Sequence, residues 1–160
     1  MKILIINGPN LNRLGLRKPE IYGRKTMAQI LLEIQQKWPD VHFMYRQSNH
    51  EGDLIDWIQG ANDGMSAAMP LNGDTSLNDV QGIILNAGGY SHTSVALRDA
   101  AEESEVPIVE VHISDIRNRE EFRRVSLLTD VCAHSITGHG TDGYAEAVEW
   151  LMNKETDNNC

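Results

Sequence analysis

The sequence predicts a single α/β domain built on a five-stranded parallel sheet with helices on both faces. Five short segments predicted to be strands alternate along the chain with segments whose apolar residues recur at helical spacing. Such alternation is typical of parallel sheets, because the helices that join successive strands cover the two faces. The length of 160 residues matches one domain, and 41% hydrophobic residues allow a packed core.

Most of the strands are predicted from short runs of β-branched and leucine residues, whereas the second is predicted from the alternation of residues 41–47. The first run, Ile3–Ile6, ends at Asn7-Gly8-Pro9, and the third ends at Asn86-Ala87-Gly88-Gly89, where turn-forming residues follow. The fifth run is the weakest, since it contains several polar residues. In chain order, the predicted strands cover residues 3–6, 41–47, 80–85, 106–113 and 131–136.

The helices are predicted from apolar stripes with a period near 3.6 residues. Thr26 is the predicted N-cap of the first helix, and Ser91 or Thr93 is the predicted N-cap of the third. Residues 11–25 are predicted to be a loop. In chain order, the predicted helices lie at 27–38, around 54–58, at 95–101, at 119–124 and at 144–152.

The predicted domain covers residues 1–153 and has one long interruption. Residues 62–79 are rich in Gly, Ser, Asn, Asp and Met, which predicts a surface excursion. Residues 154–160 are polar and are predicted to form a flexible tail. A flavodoxin-like doubly wound fold fits this order of elements, and such folds bind ligands beyond the carboxyl ends of their strands.

Composition narrows the classes of function. The formal net charge of −9 argues against binding to nucleic acid or to an anionic membrane surface. The two cysteines, Cys132 and Cys160, do not suggest a disulfide framework, and no cysteine or histidine spacing predicts a metal site. The apolar run at 3–6 is too short for a signal peptide or a membrane span, which favours the cytoplasm.

Polar side chains follow three of the predicted strands at the point where each strand ends. Because the carboxyl ends of parallel strands meet at one edge of a sheet, these side chains are expected to share one crevice. The groups that follow the first, third and fourth strands include Asn10, Arg17, Tyr22, Asn86, His92, Glu110, His112 and Ser114.

Each of these residues also has an ordinary structural interpretation. The alternation around His112 is typical of a half-exposed strand, although a central strand is covered on both faces and its polar groups then need partners. Tyr22 taken alone is more often a packing or surface residue, and Arg17 taken alone is more often solvated. The sequence contains neither a GxGxxG nor a Walker A motif, so a nucleotide fingerprint is missing.

Seven segments of the chain form an ordered set of motifs. They are NGPNLNRLG at 7–15, RKPEIYG at 17–23, RQSNHEG at 46–52, NAGGYSHTS at 86–94, RDA at 98–100, EVHIS at 110–114 and REEFR at 119–123. Together they resemble the type II 3-dehydroquinate dehydratase family, and the match runs in order from residue 3 to about residue 152. The sequence departs from the family pattern at Lys18, Ser91 and Arg117-Asn118, and its excursion at 62–79 is longer than common. None of these departures removes a predicted catalytic group.

The resemblance implies a flavodoxin-like fold and the conversion of 3-dehydroquinate to 3-dehydroshikimate without a metal or cofactor. It also implies a homo-oligomer, a dodecamer built from trimers. The implied catalytic residues are Tyr22 as base, His112 as acid, Arg17 as activator of the tyrosine and Asn10 as holder of the water that stabilises the enolate. The implied substrate-binding residues are Asn86, Ile113 and Ser114 for the carboxylate, His92 and Arg123 for ring hydroxyls, and Asp99 from a neighbouring subunit, while Glu110 orients His112.

The chemistry needs groups of these kinds. Loss of water beside a ketone requires a base for the α-proton, a partner for the enolate oxygen and an acid for the departing hydroxyl. A tyrosine, with an ordinary pKa near 10, needs about 4 kcal/mol to act as a base near pH 7. One guanidinium at about 4 Å supplies roughly that much at an effective dielectric near 20.

Three rival functions fit parts of the sequence. A flavodoxin-like module that binds FMN or another phosphate ligand would explain the fold but not the reactive side chains at the strand ends. A catalytically silent relative would serve in assembly or interaction. The same chemistry on a related hydroxyketo acid would differ only in the shape of the site.

Overall fold

The computed structural model describes residues 1–16, 18–63 and 77–158 and contains the five-stranded parallel sheet predicted from the sequence. The strand order is β2-β1-β3-β4-β5, which is the flavodoxin-like order. The predicted fold class is therefore confirmed. The strands are β1 (Lys2–Asn7), β2 (His42–Gln47), β3 (Gly82–Asn86), β4 (Ile108–His112) and β5 (His134–Thr137).

Helices cover both faces of the sheet. Short 3-10 turns at residues 11–13, 88–92, 116–118, 121–123 and 140–142 complete the connections. The helix α1 is a single turn inside the segment that was predicted to be a loop. The helices are α1 (Pro19–Tyr22), α2 (Met27–Lys37), α3 (Glu51–Asp63), α4 (Val95–Glu102) and α5 (Gly143–Asn158).

The alternation of side chains along β1 divides the core into two layers. Ile3 and Ile5 point to the face that α2 and α5 cover, whereas Leu4 and Ile6 point to the face that α3 and α4 cover. All four side chains are fully buried. Continuous apolar strands of this kind are expected in a parallel sheet, since neither face meets water.

Several predicted boundaries differ from the structure. The cap of α4 is Ser94, whose hydroxyl accepts a hydrogen bond from the Leu97 N–H, so the prediction of Ser91 or Thr93 is wrong. The predicted helix at 119–124 is instead a 3-10 turn at 121–123 that follows another at 116–118. By contrast, Thr26 caps α2 as predicted, in a capping box with Gln29.

Some predictions concern the tail of the chain or residues that the structure does not describe. The helix α5 continues to Asn158, past the predicted end at residue 152, while the flexibility of the tail stays a prediction. Arg17, residues 64–76 of the predicted excursion and Cys160 lie outside the described ranges. Within the described ranges, no helix is both long and apolar enough to cross a membrane, and the cytoplasmic location stays a prediction.

The loops that follow β1 and β3 lie against each other at one edge of the sheet. The Gly8 N–H donates to the Asn86 carbonyl at 2.8 Å. A Cβ atom on Gly8 would come within 2.4 Å of the Ala87 carbonyl oxygen, which explains the glycine at this position. This contact fixes the spacing of the two loops that border the functional site.

Candidate active site

A cleft opens at the carboxyl ends of β1, β3 and β4, which are adjacent strands of the sheet. It contains about 710 Å³ of space between atoms, part of which is open to solvent. The cleft lies beside the point between β1 and β3 where the direction of winding reverses, which is where such sheets bind ligands. The predicted site residues that line it are Asn10, Tyr22, Asn86, His92, His112, Ile113, Ser114 and Arg123.

Three predicted site residues lie elsewhere. Glu110 is fully buried behind His112, next to the cleft rather than on its surface. Asp99 lies on the exposed side of α4 and is not among the residues that line the cleft. Arg17 is outside the described residues, so its predicted contact with Tyr22 stays a prediction.

His112 and Glu110 form a buried pair on one face of β4. The distance from His112 Nε2 to Glu110 Oε1 is 2.7 Å, and the two side chains are 6% and 0% exposed. Three hydroxyl groups donate to the same carboxylate, from Ser126 to Oε1 and from Thr129 and Ser135 to Oε2. These three donors hold the carboxylate in place. The carboxylate in turn orients the His112 ring through Nε2, so Nδ1 is the ring nitrogen that is not bonded to Glu110.

The donors around Glu110 decide its charge. Burial raises the pKa of this carboxyl group, but the hydrogen bond and charge of His112, with the hydroxyls of Ser126 and Thr129, outweigh burial and lower the pKa to about 2. Glu110 is therefore anionic at neutral pH despite its burial. A fixed anion at 2.7 Å from Nε2 favours an N–H on that nitrogen.

Tyr22 ends α1 at the rim of the cleft and lies against the guanidinium of Arg119. Arg119 Nη1 is 3.4 Å from the Tyr22 hydroxyl and 3.1 Å from the Ser114 hydroxyl. The hydrogen bond to Tyr22 raises the pKa of Arg119, partial burial opposes this, and Glu120 adds to the increase. A permanent positive charge therefore lies 3.4 Å from the tyrosine oxygen.

His92 lies beside His112 in the cleft, with ring centroids 6.1 Å apart and planes inclined by 22°. Its Nδ1 is 2.8 Å from the Val125 carbonyl oxygen, which can only accept a hydrogen bond. Burial lowers the pKa of His92, the Val125 carbonyl opposes this, and the charges of His112 and Arg123 lower it further. The neutral ring thus carries its proton on Nδ1 and has Nε2 left as an acceptor.

Two asparagines border the cleft on the side of β1 and β3. Asn10 follows β1 in the left-handed region, with φ of 67°, and its backbone N–H donates to Asn49 Oδ1 at 2.9 Å. Asn86 is 4% exposed at the end of β3, and the Gly88 N–H donates to its Oδ1 at 3.3 Å. The backbone of Asn10 and the side chain of Asn86 are thus held by loop residues rather than by the strands alone.

Arg123 borders the cleft from the 3-10 turn at 121–123. Its Nε is buried without a hydrogen bond within the described residues, although it lies 3.5 Å from Glu120 Oε2 in an ion pair. A buried guanidinium N–H without a hydrogen bond is costly, and an acceptor on a bound ligand would remove that cost. This side of the cleft therefore suits an oxygen-rich ligand.

Arg119 is the residue of the site that the sequence interpretation missed. It belongs to one of the motifs that carry the resemblance, yet its place in a charged run gave no reason to separate it from its neighbours. The only available signal was its distance of a few residues from the end of β4, on the side where the other site residues cluster.

Within the described residues, no group of three or more His, Cys, Asp or Glu side chains could hold a metal ion.

The comparison with protein families gives a match over nearly the whole chain. The sequence model of the family described as "Dehydroquinase class II" matches residues 1–152. A protein named 3-dehydroquinate dehydratase from Prochlorococcus marinus (strain MIT 9301) is 43% identical over 154 residues, which cover 95% of each chain. One of the same name from Mycolicibacterium paratuberculosis is 44% identical, covering 96% of this chain and 99% of the relative.

Solved structures agree with the sequence matches. The type II dehydroquinase from Butyrivibrio crossotus has a TM-score of 0.80 and 39% identity, and the alignment covers 94% of this chain and 97% of that one. The enzyme of the same type from Propionibacterium acnes has a TM-score of 0.78 and 33% identity, with 94% of each chain covered. The chain belongs to the type II 3-dehydroquinate dehydratases (dehydroquinase class II), a family of hydro-lyases.

Proposed function

We propose that this chain dehydrates 3-dehydroquinate to 3-dehydroshikimate in the shikimate pathway, with Tyr22 as base and His112 as acid. One observation carries the proposal: the Tyr22 hydroxyl lies on the Arg119 guanidinium in the same cleft as the His112–Glu110 pair. A base and an acid on one small cleft are what an elimination beside a ketone requires.

The first step is removal of a proton from the carbon next to the ketone. The tyrosinate oxygen of Tyr22 takes the proton, the C–H bond breaks, and its electron pair moves to form the enolate. Arg119 stabilises the tyrosinate before this step, and Arg17 would add a second positive charge. Asn10 is proposed to hold the water that donates a hydrogen bond to the enolate oxygen.

The second step expels the hydroxyl group in the β position. The enolate electrons form the new carbon–carbon double bond while the carbon–oxygen bond breaks. His112 gives the leaving oxygen a proton from Nδ1, because Nε2 is bonded to Glu110. The products are the enone and one water molecule. The ring then regains its proton and the tyrosine gives up the proton it took, which restores the starting state.

The other cleft residues are proposed to bind the substrate. Asn86 with the backbone at Ile113 and Ser114 would hold the carboxylate. His92 would accept a hydrogen bond from a ring hydroxyl through Nε2. Arg123 lines the cleft and its Nε makes no hydrogen bond within the described residues, which supports a contact with another oxygen.

The test is the ultraviolet absorbance of the conjugated enone after 3-dehydroquinate is added. Wild type should show a rise, and Tyr22→Phe should lower kcat by roughly a hundredfold or more, as expected for loss of a general base. The matched control is Tyr45→Phe, because Tyr45 is a partly buried tyrosine that does not line the cleft. No rise with folded wild type would overturn the proposal and favour a silent relative or a different hydroxyketo acid.

We also propose that the chain forms a homo-oligomer, a dodecamer built from trimers, in which Asp99 reaches the cleft of a neighbouring subunit. The exposed position of Asp99, away from the cleft of its own chain, supports this role. Light scattering coupled to gel filtration should give about twelve times the chain mass of 17.9 kDa. A mass close to that of one chain, with full activity, would contradict both the assembly and the role of Asp99.

A further inference from the structure

A buried tyrosine on the last helix links the ends of β1 and β3 beneath the cleft. Tyr144 is 0% exposed, and its hydroxyl donates to Asn7 Oδ1 at 2.8 Å. The same oxygen accepts a hydrogen bond from Asn86 Nδ2 at 3.0 Å. Asn7 and Asn86 are register partners in the sheet, so one hydroxyl joins two neighbouring strand ends.

The partners of Asn86 determine which way its amide faces. The Gly88 N–H can only donate, so the amide atom at 3.3 Å from it must be the oxygen. The amide nitrogen then faces Tyr144, and one of its two N–H groups is used there. The second N–H remains for the cleft that Asn86 lines. Asn86 therefore offers a ligand a hydrogen-bond donor.

The hydroxyl of Tyr144 is in turn fixed by its surroundings. Burial raises the pKa of Tyr144, which outweighs the hydrogen bonds from Asn86 and to Asn7, so the hydroxyl keeps its proton. That proton points at Asn7 Oδ1, whose own amide nitrogen donates to Met27 Sδ at 3.3 Å. A hydroxyl with its proton directed at Asn7 can meet Asn86 only as an acceptor.

We propose that Tyr144 is a positioning residue that holds the Asn86 amide with a donor N–H directed into the cleft, and thereby sets the affinity for the substrate carboxylate. The proposal rests on the proposed function, since the carboxylate is the group that Asn86 is taken to bind. A donor suits a carboxylate, whereas the amide oxygen in the same place would repel it.

The first test is the kinetics of Tyr144→Phe. Phenylalanine fills the same space without the hydroxyl, so the amide loses one of its two anchors. KM for 3-dehydroquinate should rise about tenfold, the factor that corresponds to about 1.4 kcal/mol, while kcat changes less than about threefold. The matched control is Tyr45→Phe, which removes the hydroxyl of another tyrosine, partly buried in the same core layer, but none bonded to Asn86, and should leave KM unchanged.

The second test asks whether Tyr144 acts through Asn86. Asn86→Ala should raise KM by itself, and adding Tyr144→Phe to it should have almost no further effect on KM. If Tyr144 instead acted independently of Asn86, the increases in KM caused by the two substitutions would multiply in the double variant, because the free energies of independent sites add. An unchanged KM in folded Tyr144→Phe, or multiplied effects in the double variant, would overturn the proposal.

Two further measurements cover the cases in which Tyr144→Phe does not fold or wild type shows no turnover. If Tyr144→Phe does not fold, Tyr144→Phe combined with Asn7→Leu removes both buried partners at once and should restore folding while KM stays raised. If wild type does not turn over 3-dehydroquinate, the proposed function fails, and calorimetric titration with quinate tests Tyr144 separately. A tenfold weaker affinity of Tyr144→Phe for quinate would support the positioning role, and equal affinity would refute it.

Discussion

At the scale of single residues, two Glu–His pairs with the same contact distance differ in their surroundings. The chain contains a second Glu–His contact at 2.7 Å, between Glu146 and His139. Both of those side chains are about half exposed, whereas Glu110 and His112 are almost completely buried. Among the described residues, hydroxyl donors are bonded to the carboxylate of the buried pair and not to that of the exposed pair, and His112 of the buried pair lines the cleft. Distance alone therefore does not mark a functional pair.

This contrast gives a matched pair of variants. Glu110→Gln keeps the shape but removes the charge that orients the His112 ring, so kcat should fall roughly ten- to hundredfold with little change in KM. Glu146→Gln makes the same change at the exposed pair and should leave kcat as in wild type. Steady-state kinetics of both variants check this, and equal kcat values would show that the carboxylate does not act on His112.

Arg119 gives a second prediction at this scale. Arg119→Gln removes the charge at 3.4 Å from the Tyr22 hydroxyl and should lower kcat/KM by about a hundredfold. The control is Arg117→Gln, because the Arg117 side chain is 77% exposed and pairs with Asp115. If both variants lose activity equally, general surface charge rather than the contact with Tyr22 is responsible.

At the scale of elements, the start of α4 shows where sequence patterns lose resolution. The segment Ser91-His92-Thr93-Ser94 contains three hydroxyl residues, and each is a plausible cap. Ser91 lies within the 3-10 turn at 88–92, and Ser94 is the residue whose side chain accepts from a free N–H group of the helix. The apolar period of α4 fixes its buried face but not its first residue.

The cap can be tested directly. Ser94→Ala should lower the free energy of unfolding by about 1 kcal/mol, because the Leu97 N–H loses its acceptor in a buried position. Thr93→Ala should change it by less than about 0.5 kcal/mol, since Thr93 is exposed. Urea denaturation of the two variants compares them, and a larger loss for Thr93→Ala would mean that the cap is misassigned.

The elements also explain how much of the site was predictable. Parallel strands of known order bring the residues after β1, β3 and β4 to one edge, so Asn86, His92 and His112 could be placed together from the sequence. Tyr144 could be assigned to a helix but not to the site, because its partners are 137 and 58 positions away. Such contacts depend on how α5 packs on the sheet, which no local pattern records.

At the scale of the whole molecule, Glu110 couples stability to pH. Its pKa is about 2 in the folded protein against an ordinary value of 4.5, so the folded state holds the proton less tightly than the unfolded state. The resulting stabilisation is on the order of 3 kcal/mol; it is fully present above pH 4.5 and is lost as the pH falls towards 2.

Urea denaturation between pH 7 and pH 3 measures this coupling. Wild type should lose more than half of the Glu110 contribution by about pH 3, and Glu110→Gln should show a flatter dependence on pH over the same range. Other carboxylates, such as the partly exposed Asp115 and the exposed Asp130, also have a lowered pKa and remain in both proteins, so the difference between the two curves isolates Glu110. Parallel curves would mean that the buried carboxylate does not contribute.

The pairing of β1 with β3 has a consequence for how the protein reaches its native state. Asn7 and Asn86 are register partners although α2, β2 and α3 lie between them in the chain, so their pairing closes a long loop. Pairings between such distant parts of a chain raise the contact order and slow folding. In a refolding experiment, helical circular dichroism should therefore recover before enzymatic turnover. Recovered turnover would then report that the chain has reached its correct topology.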